Sequence, residues 1–432
     1  MLRNAILACV LAGAAAPALA QWEIRVWHAM SGERGAEIER LAANFNAAQG
    51  EYRVVLAYKG SYDETLAAML ATQRGAAAPP PHVVQVHETG TAEMLARPGL
   101  VMPLWQILEE AETRLVGYLA PIEAPFADAD GRLLALPFNS ATPVLYYNRD
   151  ALRSAKLAPP KTWYQMPEVL AAMAKSGWGC AYTTAYPSWV QLENMSAWHD
   201  QRFATQRNGM GGSEARLAFN SRLMVRHISM LSTWRQSGYF MYWGRGDEAE
   251  ARFAAGHCAL LTSTSASYAS LRARAGFDVG AAPLPYYDDF DDAPQNTLAA
   301  SAGLWVLAGK PPVEYLGVVR FFAFLARPEV QAAWHQKTGE LPLTYAAYEL
   351  TRKQGFYAAN PGYEVAVHQV LGKLPTWDSR GIRLGGFLKI RGIINDELEQ
   401  VWSGKKSALD ALNAAVARGN VLLEELEKTG GR

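Results

Sequence analysis

The chain has 432 residues, 50% of them hydrophobic and 11% aromatic, with 41 Lys and Arg against 41 Asp and Glu. So even a charge balance argues against nucleic acid or a polybasic membrane surface as partner, and the length allows two or three domain-sized cores. The 13 Trp and 19 Tyr supply those cores and leave aromatic rings over for a pocket.

Met1-Leu-Arg-Asn4 carries one positive side chain, Ala5 to Ala16 is an apolar run, and Ala18-Leu-Ala20 is a small-x-small cleavage site. This pattern predicts a secretory signal peptide over residues 1–20 rather than a membrane anchor, for which the run is too short. Cys9 lies inside the apolar run, and no Cys stands at the cleavage point to accept a lipid. Cleavage near Ala20 removes Arg3 and leaves a net charge of about −1 on a periplasmic product. Cys180 and Cys258 then remain. An oxidising compartment permits a disulfide between them, and two buried thiols are the alternative, because spacing alone does not fix a bridge.

Trp22 to Trp27 alternates as a strand, Gly35 to Gln49 repeats as an amphipathic helix on Ile38, Leu41, Ala42 and Phe45, and Tyr52 to Tyr58 is a second strand. A helix follows from Asp63, its expected N-cap, to Arg74. Ala76 to Pro81 reads as a linker, and His82 to Val86 as a buried strand. The β-α-β-α-β order implies a parallel sheet covered by helices. Ligands gather at the carboxyl ends of such strands, so the loops His28–Glu33, Lys59–Tyr62 and His87–Gly90 converge on one mouth.

Phe138-Asn-Ser-Ala-Thr-Pro-Val-Leu-Tyr-Tyr-Asn148 is a polar, proline-closed segment that leads into an apolar strand. Pro143 biases Thr142 away from the helical region, so the segment reads as a chain leaving one lobe and entering another. Helices are then expected from Asp150, over Thr162 to Ser176, Leu192 to Asp200 and Glu248 to Ala255. Strands are expected at Cys180 to Thr184 and Cys258 to Thr262, the latter ending in the hydroxyl cluster Thr262-Ser-Thr-Ser265. Pro285 to Asn296 carries four Asp residues without the spacing of a calcium loop, and reads as a solvated acidic loop. Ser301 to Leu307 is a strand, and Val313 to Gln336 is helical with a break at Arg327-Pro328. Leu341-Pro-Leu-Thr344 is a second extended crossing, and Ile393 to Trp402 and Ala408 to Lys428 close the chain as helices.

Enzyme signatures are scarce. There is no G-x-S-x-G elbow, no H-E-x-x-H and no P-loop, and the eight His residues form no i, i+4 pair for a metal. Several segments instead carry a resemblance: Trp27-His-Ala-Met30, Tyr58-Lys-Gly-Ser-Tyr62, Gln85-Val-His-Glu-Thr-Gly90, the Phe138–Asn148 crossover, Trp334-His-Gln-Lys-Thr-Gly339 and Gln354 to Asn360. In order, and over nearly the whole mature chain, they resemble the extracytoplasmic solute-binding proteins of ABC importers, specifically receptors for sn-glycerol 3-phosphate.

The resemblance implies an α/β fold of two hinged lobes with the ligand enclosed between them. The lobes are expected to be discontinuous: 21–141 with 295–342, and 142–294 with 343–432. It implies a monomeric receptor with no catalytic step, cofactor or metal, which hands glycerol 3-phosphate or a glycerophosphodiester to a membrane permease. A receptor for oligosaccharides or polyols is the alternative within the class. A secreted phosphodiester- or carbohydrate-active enzyme is the alternative outside it.

Carried over by position, ligand contacts fall on Tyr62 and Glu88, on Ser140 of the crossover, and on Tyr186 as an aromatic wall. The phosphate contact falls on Arg391, just ahead of a helix. Four positions depart from the family pattern: Ala141 replaces a hydroxyl, Thr264 a Ser, Ser301 a Gly, and Glu340 a Tyr. A carboxylate facing a phosphate costs Coulomb energy unless a cation lies between them. Glu340 is therefore expected to turn to solvent or to pair with a base such as Arg391; otherwise the ligand carries a positive group or is an uncharged sugar.

Overall fold

Two five-stranded sheets organise the protein, whose computed structural model describes residues 21–73, 79–115 and 117–428. The signal segment, the end of the second helix at Arg74 and the first half of the Ala76–Pro81 linker lie outside the described residues. In chain order the strands are β1 (Trp22–His28), β2 (Tyr52–Tyr58), β3 (Val83–His87), β4 (Leu136–Ala141), β5 (Pro143–Asn148), β6 (Cys180–Thr184), β7 (Phe240–Met241), β8 (Cys258–Thr264), β9 (Val279–Ala282) and β10 (Ala300–Val306). The first sheet has the order β2-β1-β3-β10-β4 and the second β7-β6-β8-β5-β9. Each sheet pairs parallel βαβ strands with one antiparallel strand, β10 in the first and β5 in the second.

The amphipathic reading of the first helix holds over Gly32–Ala48, which buries Ile38, Leu41, Ala42 and Phe45. Phe45 meets Phe321 edge-on at 5.2 Å, and each such side chain contributes on the order of 2 kcal/mol by leaving water. The next helix, Tyr62–Thr72, is capped two residues earlier than expected. Ser61, not Asp63, is its N-cap, in a reciprocal box where Ser61 Oγ accepts from the Glu64 amide and Glu64 Oε2 accepts from the Ser61 amide. The long helix breaks as its Arg-Pro sequence requires, into Pro312–Leu325 and Pro328–Thr338.

The polar crossover is more regular than its sequence suggests. Leu136–Ala141 is a fully buried strand of the first sheet, Pro143–Asn148 belongs to the second, and Thr142 alone stands between them. Its hydroxyl donates to Thr297 Oγ1 and the Leu298 carbonyl in the segment that carries the chain back to the first sheet. Gln369 donates to the Pro143 carbonyl and to Thr297 Oγ1, so both crossings are tied into one buried polar knot.

Cys180 and Cys258 are direct neighbours in the register of β6 and β8 and form a disulfide, which settles the alternative left open by spacing. Beyond Gly372 the helices Phe387–Trp402 and Ala408–Lys428 pack into the core of the second sheet through Ile390, Ile394, Leu398 and Leu412.

Candidate functional site

The carboxyl ends of β1 and β3 and the loop after β2 open onto a cleft whose far wall comes from the second sheet. Its larger part, about 1040 Å³, is lined by Arg34, Asn139 and Glu340 on one side and by Tyr186, Glu250 and Thr264 on the other. A smaller part of about 370 Å³ holds Asp63, Ser188 and Arg391. Both parts share Tyr62, His87, Tyr186, Thr264 and Ala300, so they are two ends of one space.

Tyr62 opens its helix on the wall of this cleft. Gln85, in β3, accepts from the Ala29 amide and donates to Asn139 Oδ1 at 2.8 Å; Asn139 Nδ2 in turn donates to Tyr62 Oη at 3.0 Å. This chain fills the acceptor side of the phenol and leaves its proton to donate. Burial, with Glu340 adding to it, pushes the phenol up to about 12, so it remains protonated at physiological pH.

Glu88 follows β3. Its Oε2 accepts from the Ser301 amide at 2.7 Å and lies 3.1 Å from His87 Nε2, while Oε1 stands 3.7 Å from Arg391 Nη2. Burial outweighs the pull of Arg391 and pushes the carboxyl up to about 8. Burial and then Arg391 hold His87 down at about 3. At neutral pH this corner therefore presents a protonated acid, able both to donate and to accept, beside a neutral imidazole.

Arg391 does not stand ahead of its helix. It is the fifth residue of Phe387–Trp402, which begins earlier than expected because Gly386, at φ 63°, turns the chain into it. Glu193 grips the guanidinium bidentately, at 2.8 Å to Nε and 2.7 Å to Nη2, and Ser188 Oγ braces Glu193 at 3.0 Å. Arg391 lines the smaller end of the cleft, and no described residue accepts a hydrogen bond from its Nη1. Glu193 closes a π-helical turn, Trp189–Glu193, which follows Tyr186 held at φ 46°. Helix begins directly after Tyr186, at Pro187, and the rings of Tyr186 and Trp189 meet edge-on at 6.2 Å.

Glu340 neither turns to solvent nor pairs with Arg391. Its side chain is 1% exposed and accepts from Arg34 Nη1 at 2.9 Å. Burial pushes its carboxyl up, and Arg34 pulls it partly back. Ser140 and Ser301 face each other across β4 and β10 at 2.8 Å, fully buried, and tie those strands together rather than lining the cleft. Ala141, Thr264 and Tyr186 do line it.

Sequence reasoning missed Arg34, His87, Asn139 and Glu193. An acid inside the apolar run Trp189-Val-Gln-Leu-Glu-Asn-Met195 was the one available signal, since a Glu there requires a partner. Arg34 stands between the expected loop His28–Glu33 and the expected helix from Gly35 and carries no such signal. In the acidic loop, Asp289 is held by Arg226 at 2.7 and 3.1 Å. Among the described residues no group of three or more His, Cys, Asp or Glu is placed to hold a metal ion, and no helix is long and apolar enough to cross a membrane.

The bacterial extracellular solute-binding protein family matches the chain over residues 40–365. The sn-glycerol-3-phosphate-binding periplasmic protein UgpB of Yersinia enterocolitica is 45% identical over 420 residues, 96% of this chain and 95% of that one. Among solved structures, UgpB from Mycobacterium tuberculosis in complex with glycerophosphocholine superposes with a TM-score of 0.76 at 22% identity, covering 94% of this chain and 99% of that one. The cyclic alpha-maltosyl-1,6-maltose binding protein from Arthrobacter globiformis superposes almost as well, with a TM-score of 0.75 at 18% identity over 94% and 100% of the two chains. A phosphodiester receptor and a sugar receptor thus share this fold equally, so the fold does not choose the ligand. Two sheets joined by short crossings, a cleft between them and a match that runs from end to end have one reading: the chain belongs to the bacterial extracellular solute-binding proteins.

Proposed function

We propose that the chain is the periplasmic receptor of an ABC importer, capturing sn-glycerol 3-phosphate or a glycerophosphodiester and delivering it to a membrane permease. The observation that carries this reading is the pairing of a guanidinium, Arg391, with a hydroxyl-recognising phenol, Tyr62, on the lining of one cleft, with the Glu88 carboxyl 3.7 Å from Arg391. Those are the two halves of a glycerol phosphate: an anion that a guanidinium fork matches, and hydroxyls that accept and donate. The name of the Yersinia relative supports the same ligand class.

In this reading the lobes are 21–141 with 295–342 and 142–294 with 343–432, in keeping with the membership of the two sheets. The mature monomer begins after cleavage near Ala20. Ligand favours the closed arrangement by binding it more tightly than the open one, and the closed form is what the permease reads. The receptor performs no chemical step.

Protein refolded from denaturant, and so free of carried-over ligand, is tested by calorimetry against glycerol 3-phosphate, glycerophosphocholine, glycerophosphoethanolamine and maltose. Binding of at least one phosphate ester with one-to-one stoichiometry, and none of maltose, is expected. Maltose binding alone would establish the sugar-receptor alternative, and release of glycerol 3-phosphate from a phosphodiester by the protein would establish an enzyme. Arg391→Ala is expected to weaken the phosphate esters about 100-fold, the loss of a charge-assisted pair of hydrogen bonds.

A further inference from the structure

The cleft contains a second braced guanidinium. Arg34, the third residue of the helix Gly32–Ala48, reaches the larger end of the cleft and is held from behind by Glu340 at 2.9 Å. This repeats the construction at the smaller end, where Glu193 braces Arg391. In both pairs the carboxylate side chain is 1% exposed, while the arginine keeps 43% at Arg34 and 18% at Arg391. Apart from Glu340, no described residue accepts a hydrogen bond from Arg34, which shares the cleft lining with Tyr62 and Asn139 and with the acids Glu33 and Asp247.

As a stabilising device this pair is poorly chosen. Burying a carboxylate to pair it with one arginine gains little over a well-packed apolar side chain. A cation in the first turn of a helix also opposes the macrodipole. As a means of presenting a guanidinium the arrangement is economical, because the brace fixes a long side chain before ligand arrives and lowers the entropy lost on binding. Glu250, on the facing wall, is engaged by the hydroxyls of Ser263 and Ser267, which draw its carboxylate back into the second sheet.

We propose that Arg34 is a second ligand-gripping residue, donating to oxygens of the phosphate ester at the larger end of the cleft from the first lobe while Arg391 donates at the smaller end from the second, and that Glu340 is the positioning residue that aims it. Glu340 is then not a charge opposed to the ligand, since the cation lies between them. The proposal rests on the phosphate-ester reading above, and a ligand held by one arginine from each lobe couples binding to closure.

The test is a double-mutant cycle read by calorimetry with glycerol 3-phosphate: wild type, Arg34→Met, Glu340→Gln and the double variant, with Arg391→Met as reference. Arg34→Met is expected to weaken binding about 10- to 100-fold, one or two charge-assisted hydrogen bonds. Glu340→Gln is expected to weaken it about 3- to 10-fold in the wild-type background and hardly at all when Arg34 is already Met, because its effect passes through Arg34. Equal losses in both backgrounds would mean that Glu340 acts on the fold alone and would overturn its positioning role. Wild-type affinity in Arg34→Met, together with loss in Arg391→Met, would overturn this proposal and leave the phosphate-ester reading standing. A wild-type protein that binds no phosphate ester would remove both. If Arg34→Met unfolds through its unpaired Glu340, the double variant, which buries no charge, is compared with Glu340→Gln and decides the same point.

Discussion

Glu88 shows how a single carboxyl can carry a pH dependence that the net charge of the chain conceals. Its folded value is near 8, well above the ordinary carboxylate value of 4.5, because burial penalises the ion more than Arg391 favours it. Between those two values the folded state holds a proton that the unfolded state releases, so stability falls as pH rises across that window. His87 acts in the opposite sense. Held at about 3 against an ordinary 6.5, it makes the unfolded state the better proton binder below 6.5, and stability there falls as pH falls.

The Glu88 contribution is therefore cleanest between pH 6.5 and 8. Glu88→Gln is expected to flatten the stability profile in that window by on the order of 1 kcal/mol per pH unit, read as chemical-denaturation midpoints at several pH values. A mutant profile parallel to wild type would show that Glu88 is ionised throughout. At this scale the sequence was half legible. Tyr62, Tyr186, Thr264 and Arg391 do meet around one cleft, with Glu88 3.7 Å from Arg391, because strand ends and helix starts are fixed by local pattern. What was not legible is which polar group engages which. Ser140 and Ser301 satisfy each other, and the partners of Glu340 and Arg391 come from 306 and 198 residues away in sequence.

Among the elements, β6 and β8 owe their pairing to a covalent bond as well as to hydrogen bonds. The disulfide closes a sequence separation of 78 residues, and a loop of that length corresponds to about 4 kcal/mol of denatured-state entropy. The double variant Cys180→Ala, Cys258→Ala is expected to lose up to that amount in urea titrations. Its ligand affinity should be unchanged, since Cys258 opens β8 and Thr264, six residues on, closes it at the cleft, about 20 Å away. A large loss of affinity at full stability would contradict that separation.

The elements that were legible are those whose period is clean: β1, β2, β3 and the helix that buries Ile38, Leu41, Ala42 and Phe45. Leu136–Ala141 was not, because its Asn and Ser read as loop, yet their polar groups are satisfied by β3 and β10 and so tolerate a buried strand. Gly392 hid the first turns of the helix that carries Arg391, since a glycine inside a periodic run imitates a boundary.

At the scale of the whole molecule, the two halves touch on more than the polar knot around Thr142. Arg383 reaches across to backbone carbonyls: its Nη2 donates to those of Pro125 and Ala127 at 3.1 and 2.8 Å. Nearby, Glu93 accepts from the Gly386 amide at 2.8 Å, and Glu88 faces Arg391 at 3.7 Å. Each of these joins a group of the proposed first lobe to one of the second. A hinged receptor has to make and break such contacts, and their strength sets how often the ligand-free protein samples the arrangement described here.

Arg383 is the most informative of the three because it lies away from the lining of the Arg391 and Arg34 cavities, so removing it alters the balance between arrangements without removing a ligand contact. Arg383→Met is expected to enlarge the ligand-free radius of gyration in small-angle scattering and to weaken glycerol 3-phosphate several-fold. Saturating ligand should restore the wild-type dimension, because bound ligand supplies the interlobe bridge that Arg383 no longer does. An unchanged free dimension with unchanged affinity would mean that these carbonyl contacts follow closure and do not help to set it. In that case the contact of Glu88 with Arg391 would carry the coupling, and affinity would fall as pH rises through the titration of Glu88, because the ionised carboxylate competes with an anionic ligand for the guanidinium.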